Sequence, residues 1–335
     1  MSKQKMPSKG NYKAVIIGAG RIASQFDSLE SGEVLTHAHA FRKHPRVDLM
    51  GILDSNKNAA RRAAKKWNCQ TYDDLDTMMR KVQPDIVNVC TPDSSHFGVL
   101  LKIAHYKKTR IVICEKPITT NLADTKKIVR LYDTIGIPIL VNYSRRFDAV
   151  VQKLRQSIRE NKYGGIVCAS GIYTKGIVHN GAHMIDLCRY LFGEVTSVVT
   201  TFSVPDFSHY DKSVSGCLEF KLCKQFHLMS GDERRYSIFE IDILFEKRRV
   251  RFIDFGFCVS IQKVTSDPRY AGYQCLGKPV IKSTSLDRAM VVLVDNAVLH
   301  LRRQSPLLCG IDDSLETQKI CELLLHGKKF KKYDV

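Results

Sequence analysis

The feature that most restricts this chain is an apolar run, Lys13–Gly20 (KAVIIGAG), that ends in Gly18-Ala19-Gly20-Arg21-Ile22-Ala23. In a G-x-G-x-x-A turn between a strand and a helix, the first glycine permits a tight turn. The second lets the backbone approach a pyrophosphate at the helix N-terminus, and a small third residue allows close helix–strand packing. Glycine turns are common, so the spacing needs a preceding strand and an acidic residue closing the next strand to carry weight. The next apolar run, VDLMGILD, ends at Asp54, later than the usual spacing because of the segment around His37–Pro45. Asp54 can accept hydrogen bonds from adenosine ribose hydroxyls and would repel a 2′-phosphate, which favours NAD over NADP. The plainer alternative is a turn aspartate. Gly18, Gly20, Arg21, Ile22, Ala23 and Asp54 are therefore expected to bind the dinucleotide, whereas Arg61 and Arg62 lie too far into the following helix to be given a phosphate.

Short apolar strands then alternate with helical stretches. NAARRAAKKW is followed by DIVNVC (Asp85–Cys90) and TPDSSH; HFGVLLKIAHY leads to RIVIC (Arg110–Cys114) and EKPI; ADTKKIVRLYDTIG leads to IPILVNY. This alternation predicts a parallel, doubly wound sheet. After about residue 143 the pattern changes. A helix near Asp148–Glu160 precedes GIVCASGIY, VTSVVTTFSV, VSGCLEFKL, RRYSIFEIDILF and VRFIDFG. In FEIDILF, Phe239, Ile241, Ile243 and Phe245 share one face, and Glu240, Asp242 and Leu244 the other, the period of an open antiparallel sheet with a wet side. Helices near Leu286–Arg302 and Asp313–His326 close the chain, and no repeat or low-complexity segment is visible. The expected fold is an α/β Rossmann domain over residues 1–143 and an α+β domain over 144–335 with an open, mostly antiparallel sheet.

The 335 residues suit two domains better than one, and the 44% hydrophobic and 26% charged content is that of ordinary globular proteins. No apolar run approaches the roughly 20 residues of a membrane span. The start, MSKQKMPSKGNYK, has no apolar signal core and reads as a frayed terminus of a cytoplasmic protein. The 11 cysteines form no CxxC pair, and several sit in apolar runs, so reduced structural thiols are expected and a metal site is not. The net charge of +18 includes the tract Lys328-Lys329-Phe330-Lys331-Lys332 but is otherwise dispersed, without a zinc-finger or RNP pattern. That argues against nucleic acid and for either a solvated surface or an anionic, phosphate-bearing substrate.

More specific signals follow in order: Thr91-Pro92 then His96, Glu115-Lys116-Pro117, Asn142-Tyr143 then Arg145-Arg146, and Gly181-Ala182-His183-Met184-Ile185-Asp186. With the glycine turn before them and VDNAVLHLRR and GIDDSLETQKICELL after them, they resemble the Gfo/Idh/MocA family, named for glucose–fructose oxidoreductase and inositol dehydrogenase. The resemblance covers nearly the whole chain. It implies substrate held between a Rossmann domain and an open-sheet domain, beside the nicotinamide, with Lys116 as the active-site lysine and a cis bond before Pro117. It also implies cofactor contacts from Thr91, Pro92, His96, Glu115 and Lys116. Similar proteins often carry an Asp four residues before the second-domain histidine. Here that position is His179, which cannot orient and strengthen His183 as a carboxylate would.

Oxidation of a secondary alcohol sends hydride to the cofactor and a proton to a base. Lys116 can polarise the oxygen, or act as base if burial and nearby cations depress its pKa; His183 can relay or accept the proton. Tyr173, Lys175, His179 and Arg145 are expected to contact substrate, and Asp186 either does so or caps the helix bearing LCRYLF. His37 and His39 are read as structural. The chain is expected to be an NAD-dependent dehydrogenase of a sugar or nucleotide-linked sugar, working as a homodimer or homotetramer through the alternating strand around Ile238–Phe245. The alternative is a non-catalytic dinucleotide-binding regulator of the same fold. Retention of Lys116 and His183 favours the enzyme, and the missing Asp keeps the regulator open.

Overall fold

Five short apolar segments and one polar two-residue strand line up as one parallel sheet. They are β1 (Tyr12–Ile17), β2 (Val47–Leu53), β3 (Gln70–Thr71), β4 (Ile86–Val89), β5 (Ile111–Cys114) and β6 (Ile139–Val141), in the order β3-β2-β1-β4-β5-β6. The computed structural model describes residues 10–327 and the pair Phe330–Lys331. The basic start at 1–9, and the tract at 328–332 apart from that pair, lie outside the described residues. The four residues of β5, IVIC, are all fully buried, as a parallel strand covered on both faces must be. The helices between strands are α1 (His37–Lys43), α2 (Lys57–Lys66), α3 (Leu75–Val82), α4 (Asp93–Ile103) and α5 (Leu122–Ile135). Thr36, Asn56, Asp74 and Asn121 cap α1, α2, α3 and α5, each side chain accepting a first-turn backbone N–H.

The remaining elements begin with α6 (Ala149–Arg159), capped by Asp148. They continue with β7 (Ile166–Tyr173), α7 (Ala182–Phe192), β8 (Val195–Val204), β9 (Ser213–Phe220), β10 (Phe226–Ser230), β11 (Phe239–Phe245), β12 (Arg248–Ile253), β13 (Cys258–Ser266), β14 (Gln274–Leu276) and β15 (Val280–Ser283). With β16 (Phe330–Lys331) these strands form a ten-stranded sheet, ordered β14-β13-β12-β11-β7-β10-β9-β8-β16, with β15 also paired to β13. Among the described residues, only the β7–β10 pair of this sheet is parallel. One face is closed by aromatic packing: Phe192 of α7, Phe220 of β9 and Phe226 of β10 have ring centroids 5.6 to 6.3 Å apart. In β11, Phe239, Ile241, Ile243 and Phe245 are buried, whereas Glu240, Asp242 and Leu244 on the other face keep solvent contact.

The chain divides into two compact units, Met1–Phe147 with Asp287–Leu315, and Asp148–Leu286 with Glu316–Val335. The return of α8 (Ala289–Leu301) and the start of α9 (Ile311–Leu325) to the first unit differs from a single cut at 143. The bonds that bind the return are specific: Val34 N–H to the Asp287 carbonyl, Val141 N–H to the Cys309 carbonyl, His44 Nε2 to Asp295 at 3.0 Å, and Arg146 to Asp313 at 3.0 Å. Such a return is invisible to a reading that proceeds along the chain.

Three local readings also change. The strand expected over RRYSIFEIDILF starts only at Phe239, because Asp232 accepts the Arg234 N–H and turns the chain. Strands β3, β10, β13, β14 and β15 and helices α1 and α3 have no counterpart in the sequence reading. β15 is exposed at every residue, so it shows no apolar alternation. The glycine turn leads into a single five-residue π-helical turn, Arg21–Gln25, and not a full helix. The chain leaves it at Phe26 because Asp27 is drawn into a buried clamp, accepting from the Leu35 N–H at 2.5 Å and Thr36 Oγ1 at 2.5 Å and meeting His39 Nδ1 at 2.9 Å. Trp67 Nε1 and Lys66 Nζ both donate to the Ser24 carbonyl and tie the turn down from α2.

Candidate functional site

In the first unit the glycine turn follows β1 with Gly18 at φ +104°, where an added Cβ would sit 2.4 Å from the Cys90 carbonyl oxygen. Gly18 is thus required by the fold itself. Gly20 differs: a Cβ there would meet no atom within 4 Å. Among the described residues nothing demands glycine at Gly20, whereas a pyrophosphate laid against the backbone would. Arg21, Ile22 and Ala23 form the first positions of the π turn, whose leading amides lack partners within the turn. Asp54 follows β2 and points back at the turn, accepting the Ala19 N–H at 2.7 Å on Oδ2 and the Asn56 N–H at 2.7 Å on Oδ1. Each oxygen keeps a lone pair for a ribose hydroxyl.

Thr91-Pro92 follows β4, and among the described residues the buried Thr91 Oγ1 has no hydrogen-bond partner. His96 stands on α4, fully buried, with its ring nitrogens 2.8 Å from the Thr91 and Pro117 carbonyls. It shapes two neighbouring turns and has no surface to offer a ligand. Glu115 and Lys116 follow β5, and the Lys116–Pro117 peptide is cis. Glu115 Oε1 lies 2.7 Å from His37 Nε2 and accepts Asn142 Nδ2 at 2.7 Å. His37, expected to be purely structural, therefore reaches the E-K-P turn, a contact that no local sequence pattern signals. Burial works against the Glu115 charge, but the His37 bond and charge, the Asn142 bond and the Lys116 charge outweigh it and hold the carboxyl below its usual range. Arg145 lies in a 3-10 turn, Ser144–Phe147, after β6, and burial pulls its guanidinium down to about 9. The glycine at Gly20, the spare acceptors of Asp54 and the Thr91 hydroxyl together fit a dinucleotide.

In the second unit Tyr173 ends β7 fully buried, its hydroxyl donating to the Val214 carbonyl at 2.9 Å and accepting the Val214 N–H at 2.7 Å. It is a core residue that supports the next turn. That turn begins with Lys175 at φ +74° and runs through a π-helical segment, Gly176–Gly181, into α7. Two carboxylates hold it from the loop after β8. Asp206 accepts the Lys175 N–H at 2.9 Å, and Asp211 accepts the Val178 and His179 N–H groups at 2.8 Å each. The same loop carries Phe207, which sequence reasoning missed. The His179 ring lies 4.8 Å from the Phe207 ring, and Lys175 Nζ is 5.7 Å from it. The loop has no motif of its own, so only its contacts disclose it. His183, on the first turn of α7, keeps partial exposure, whereas Asp186, one turn on, is buried and accepts from Thr317 Oγ1 at 3.4 Å. The turn thus gathers His179 and Lys175 around Phe207, while Tyr173 and Asp186 face the interior. Among the described residues no cluster of His, Cys, Asp and Glu is arranged to hold a metal, and no helix is long and apolar enough to cross a membrane.

Comparison with known proteins bears on this arrangement. Residues 12–143 match the family model described as an oxidoreductase family with an NAD-binding Rossmann fold. A D-apiose dehydrogenase of Paraburkholderia graminis is 24% identical over 210 residues, 57% of this chain and 52% of that protein. The chain spans about half the length of the first curated relatives it matches, 52% to 54% of each. Levoglucosan dehydrogenase, solved in complex with NADH and levoglucosan, superposes with a TM-score of 0.79 at 15% identity, covering 97% of this chain and 100% of that one. The WlbA dehydrogenase from Bordetella pertussis, solved in complex with NADH and UDP-GlcNAcA, gives 0.74 at 18% identity, again over 97% and 100%. At these identities the two structures establish a shared fold.

Proposed function

Residues 12–143 belong to the Gfo/Idh/MocA oxidoreductase family as its NAD-binding Rossmann domain, and on that premise we propose that the chain is an NAD-dependent dehydrogenase. Its reaction moves a hydride between nicotinamide and a secondary alcohol or ketone of a sugar or nucleotide-linked sugar. The observation that carries this reading is the turn after β5, where Lys116 follows a partly buried carboxylate, Glu115, anchored by His37 and Asn142 in the same unit as the Gly18–Ala23 turn. NAD, when bound, supplies the hydride acceptor. Lys116 binds and polarises the substrate oxygen, and His183 takes or returns the hydroxyl proton. Lys175 and His179 hold the substrate, with Arg145 as a further contact. Tyr173 and Asp186 serve by fixing the turn and α7. NAD is preferred to NADP because Asp54 offers a carboxylate where a 2′-phosphate would lie.

The nucleotide-linked substrate is supported by the +18 net charge and by two basic side chains grouped on the exposed Phe207 ring. The WlbA structure, with its bound UDP-GlcNAcA, adds a relative of the same fold on such a substrate. We place the protein in the cytoplasm as a homo-oligomer. The apolar face of β11 is already covered within its own unit, so the contact between copies is assigned to the opposite face, around Met229 and Leu244. Mass spectrometry of ligands co-purified under native conditions tests the enzymatic reading. Retained NAD(H) together with a sugar or nucleotide sugar is the expected result. A protein that neither retains nor binds NADH in a calorimetric titration is not this enzyme.

A further inference from the structure

A period of two runs through the antiparallel pair β9–β10. Leu218, Phe226 and Leu228 are buried on the packed side of the sheet, so the alternate residues Cys217 and His227 stand exposed on its open side. The two are direct cross-strand partners, and Cys217 Sγ lies 3.6 Å from His227 Nδ1. Gln225 Nε2 donates to His227 Nε2 at 3.4 Å, so the ring hydrogen stands on Nδ1 and points at the sulfur. Val199, which pairs with Cys217 from β8, brings no charge, and Glu219, two residues along the same face of β9, is the acidic neighbour.

The other cysteines lack this combination. Among the described residues Cys217 alone of the 11 is exposed. Burial pushes the thiols of Cys90, Cys114 and Cys188 well above their usual range, that of Cys69 up to about 12 and that of Cys223 up to about 11. Cys275, half-buried on β14, has oxygens for neighbours: its Sγ donates to the Ser266 carbonyl at 3.8 Å and lies 3.6 Å from Thr265 Oγ1.

We propose that Cys217 and His227 form a thiol–disulfide exchange site that takes a small disulfide of the glutathione class. The Cys217 thiolate attacks one sulfur of that disulfide. A bond forms between Cys217 Sγ and that sulfur, and the original S–S bond breaks. The other half leaves as a thiolate and takes up, through solvent, the proton that Cys217 gave up. The disulfide is the only oxidant consumed. The His227 N–H donates to the attacking sulfur and holds it at the open surface. The adduct bears on assembly, given the reading that copies meet over this face. Met229, two residues from His227 on the same side of β10, belongs to that contact. A tripeptide attached at Cys217 stands between the copies, so exchange occurs on separated copies and keeps them apart.

The full chain is incubated with oxidised glutathione at neutral pH, quenched with acid over a time course and read by peptide mass spectrometry. The first mixed disulfide should form on Cys217, ahead of Cys275 by about tenfold or more in rate. His227→Val, a change at an exposed strand position, should slow the Cys217 reaction by about tenfold while circular dichroism stays that of wild type. Modification of Cys275 or any other thiol ahead of Cys217 overturns the proposal. So does a folded His227→Val protein that reacts as fast as wild type. Light scattering keeps the two readings apart. An untreated protein that is monomeric removes the contact between copies and leaves the exchange site standing. If the untreated protein is oligomeric, the Cys217-modified fraction should run at a lower mass, and a modified fraction that stays assembled overturns the link to assembly.

Discussion

The carboxylate of Asp54 accepts the backbone N–H of Ala19 at 2.7 Å, joining the end of β2 to the turn after β1. One side chain therefore shapes the glycine turn and offers acceptors to whatever lies beyond it. Asp54→Asn keeps an acceptor but removes the charge. Calorimetric titration should show NADH binding weakened and the preference for NADH over NADPH narrowed by about tenfold, or 1.4 kcal/mol. A wild-type protein that binds NADPH more tightly would refute the assignment of Asp54.

Gly18 and Gly20 are two residues apart but face different constraints, which gives a paired test. Gly18→Ala must place a Cβ 2.4 Å from the Cys90 carbonyl oxygen at φ +104°. Thermal or denaturant unfolding should show a loss of about 1–3 kcal/mol or more, the range for enforced backbone strain. The Cβ of Gly20→Val meets no described atom within 4 Å, and the variant should fold with a near-normal unfolding midpoint, yet fail to bind NADH. Undiminished NADH binding in that variant would move the dinucleotide elsewhere.

Lys116 should matter more to turnover than His183. Once a substrate is identified, Lys116→Ala should lower kcat by about 10²–10⁴-fold, the range for losing a positioned group that acts on the reacting atoms. His183→Ala should cost less, with part of the loss in KM, because His179 stands where a carboxylate would otherwise strengthen the imidazole and packs instead on Phe207. Steady-state kinetics that find Lys116→Ala near full kcat and His183→Ala inactive would reverse the roles. His179→Asp tests the missing carboxylate directly, and a rise in activity would mark its absence as a deficit.

The Asp27 clamp predicts an acid-labile link. Burial opposes the Asp27 charge, but the bonds from Thr36, Leu35 and His39 and the His39 charge outweigh it, so its carboxyl sits below the usual 3.8. A carboxyl depressed by folding contributes stability above its unfolded value and loses it as pH falls through the folded one. Asp27→Asn should be less stable than wild type by about 1–3 kcal/mol near neutral pH, and the gap should close below about pH 4. Urea unfolding of both proteins across that range measures it. A gap independent of pH would show that the charge of Asp27 contributes nothing.

Much of the dinucleotide site was legible along the chain because its parts are local. A strand, a turn and an acidic strand end are each short segments: Gly18 and Gly20 follow β1 in the expected turn, and Asp54, though later than the usual spacing, ends β2 and accepts the Ala19 N–H. The alternation of β11 likewise disclosed which of its faces is buried, since a period of two is a property of the backbone. The helix expected after Gly20 failed for a tertiary reason. One π turn is all that forms, because Asp27 finds Thr36, Leu35 and His39 across a loop. Tyr173 reads as a polar side chain beside a substrate turn, but its hydroxyl is taken up by both backbone groups of Val214.

By itself the sequence determined the parallel, doubly wound character of the first sheet, the glycine turn, and the presence of Lys116, His179 and His183 in recognisable settings. Periodicity and spacing are carried by neighbouring residues, and neighbours are what a sequence records. Only the tertiary structure decided that His37 serves Glu115 while His39 serves Asp27, and that α8 returns to the first unit. It alone brought Phe207 under Lys175 and His179. Each of these depends on a pairing between segments far apart in the chain, selected by burial and by the need of buried polar groups for partners. No local pattern encodes such a choice, because many distant residues could satisfy it and only the packed fold brings one of them within reach.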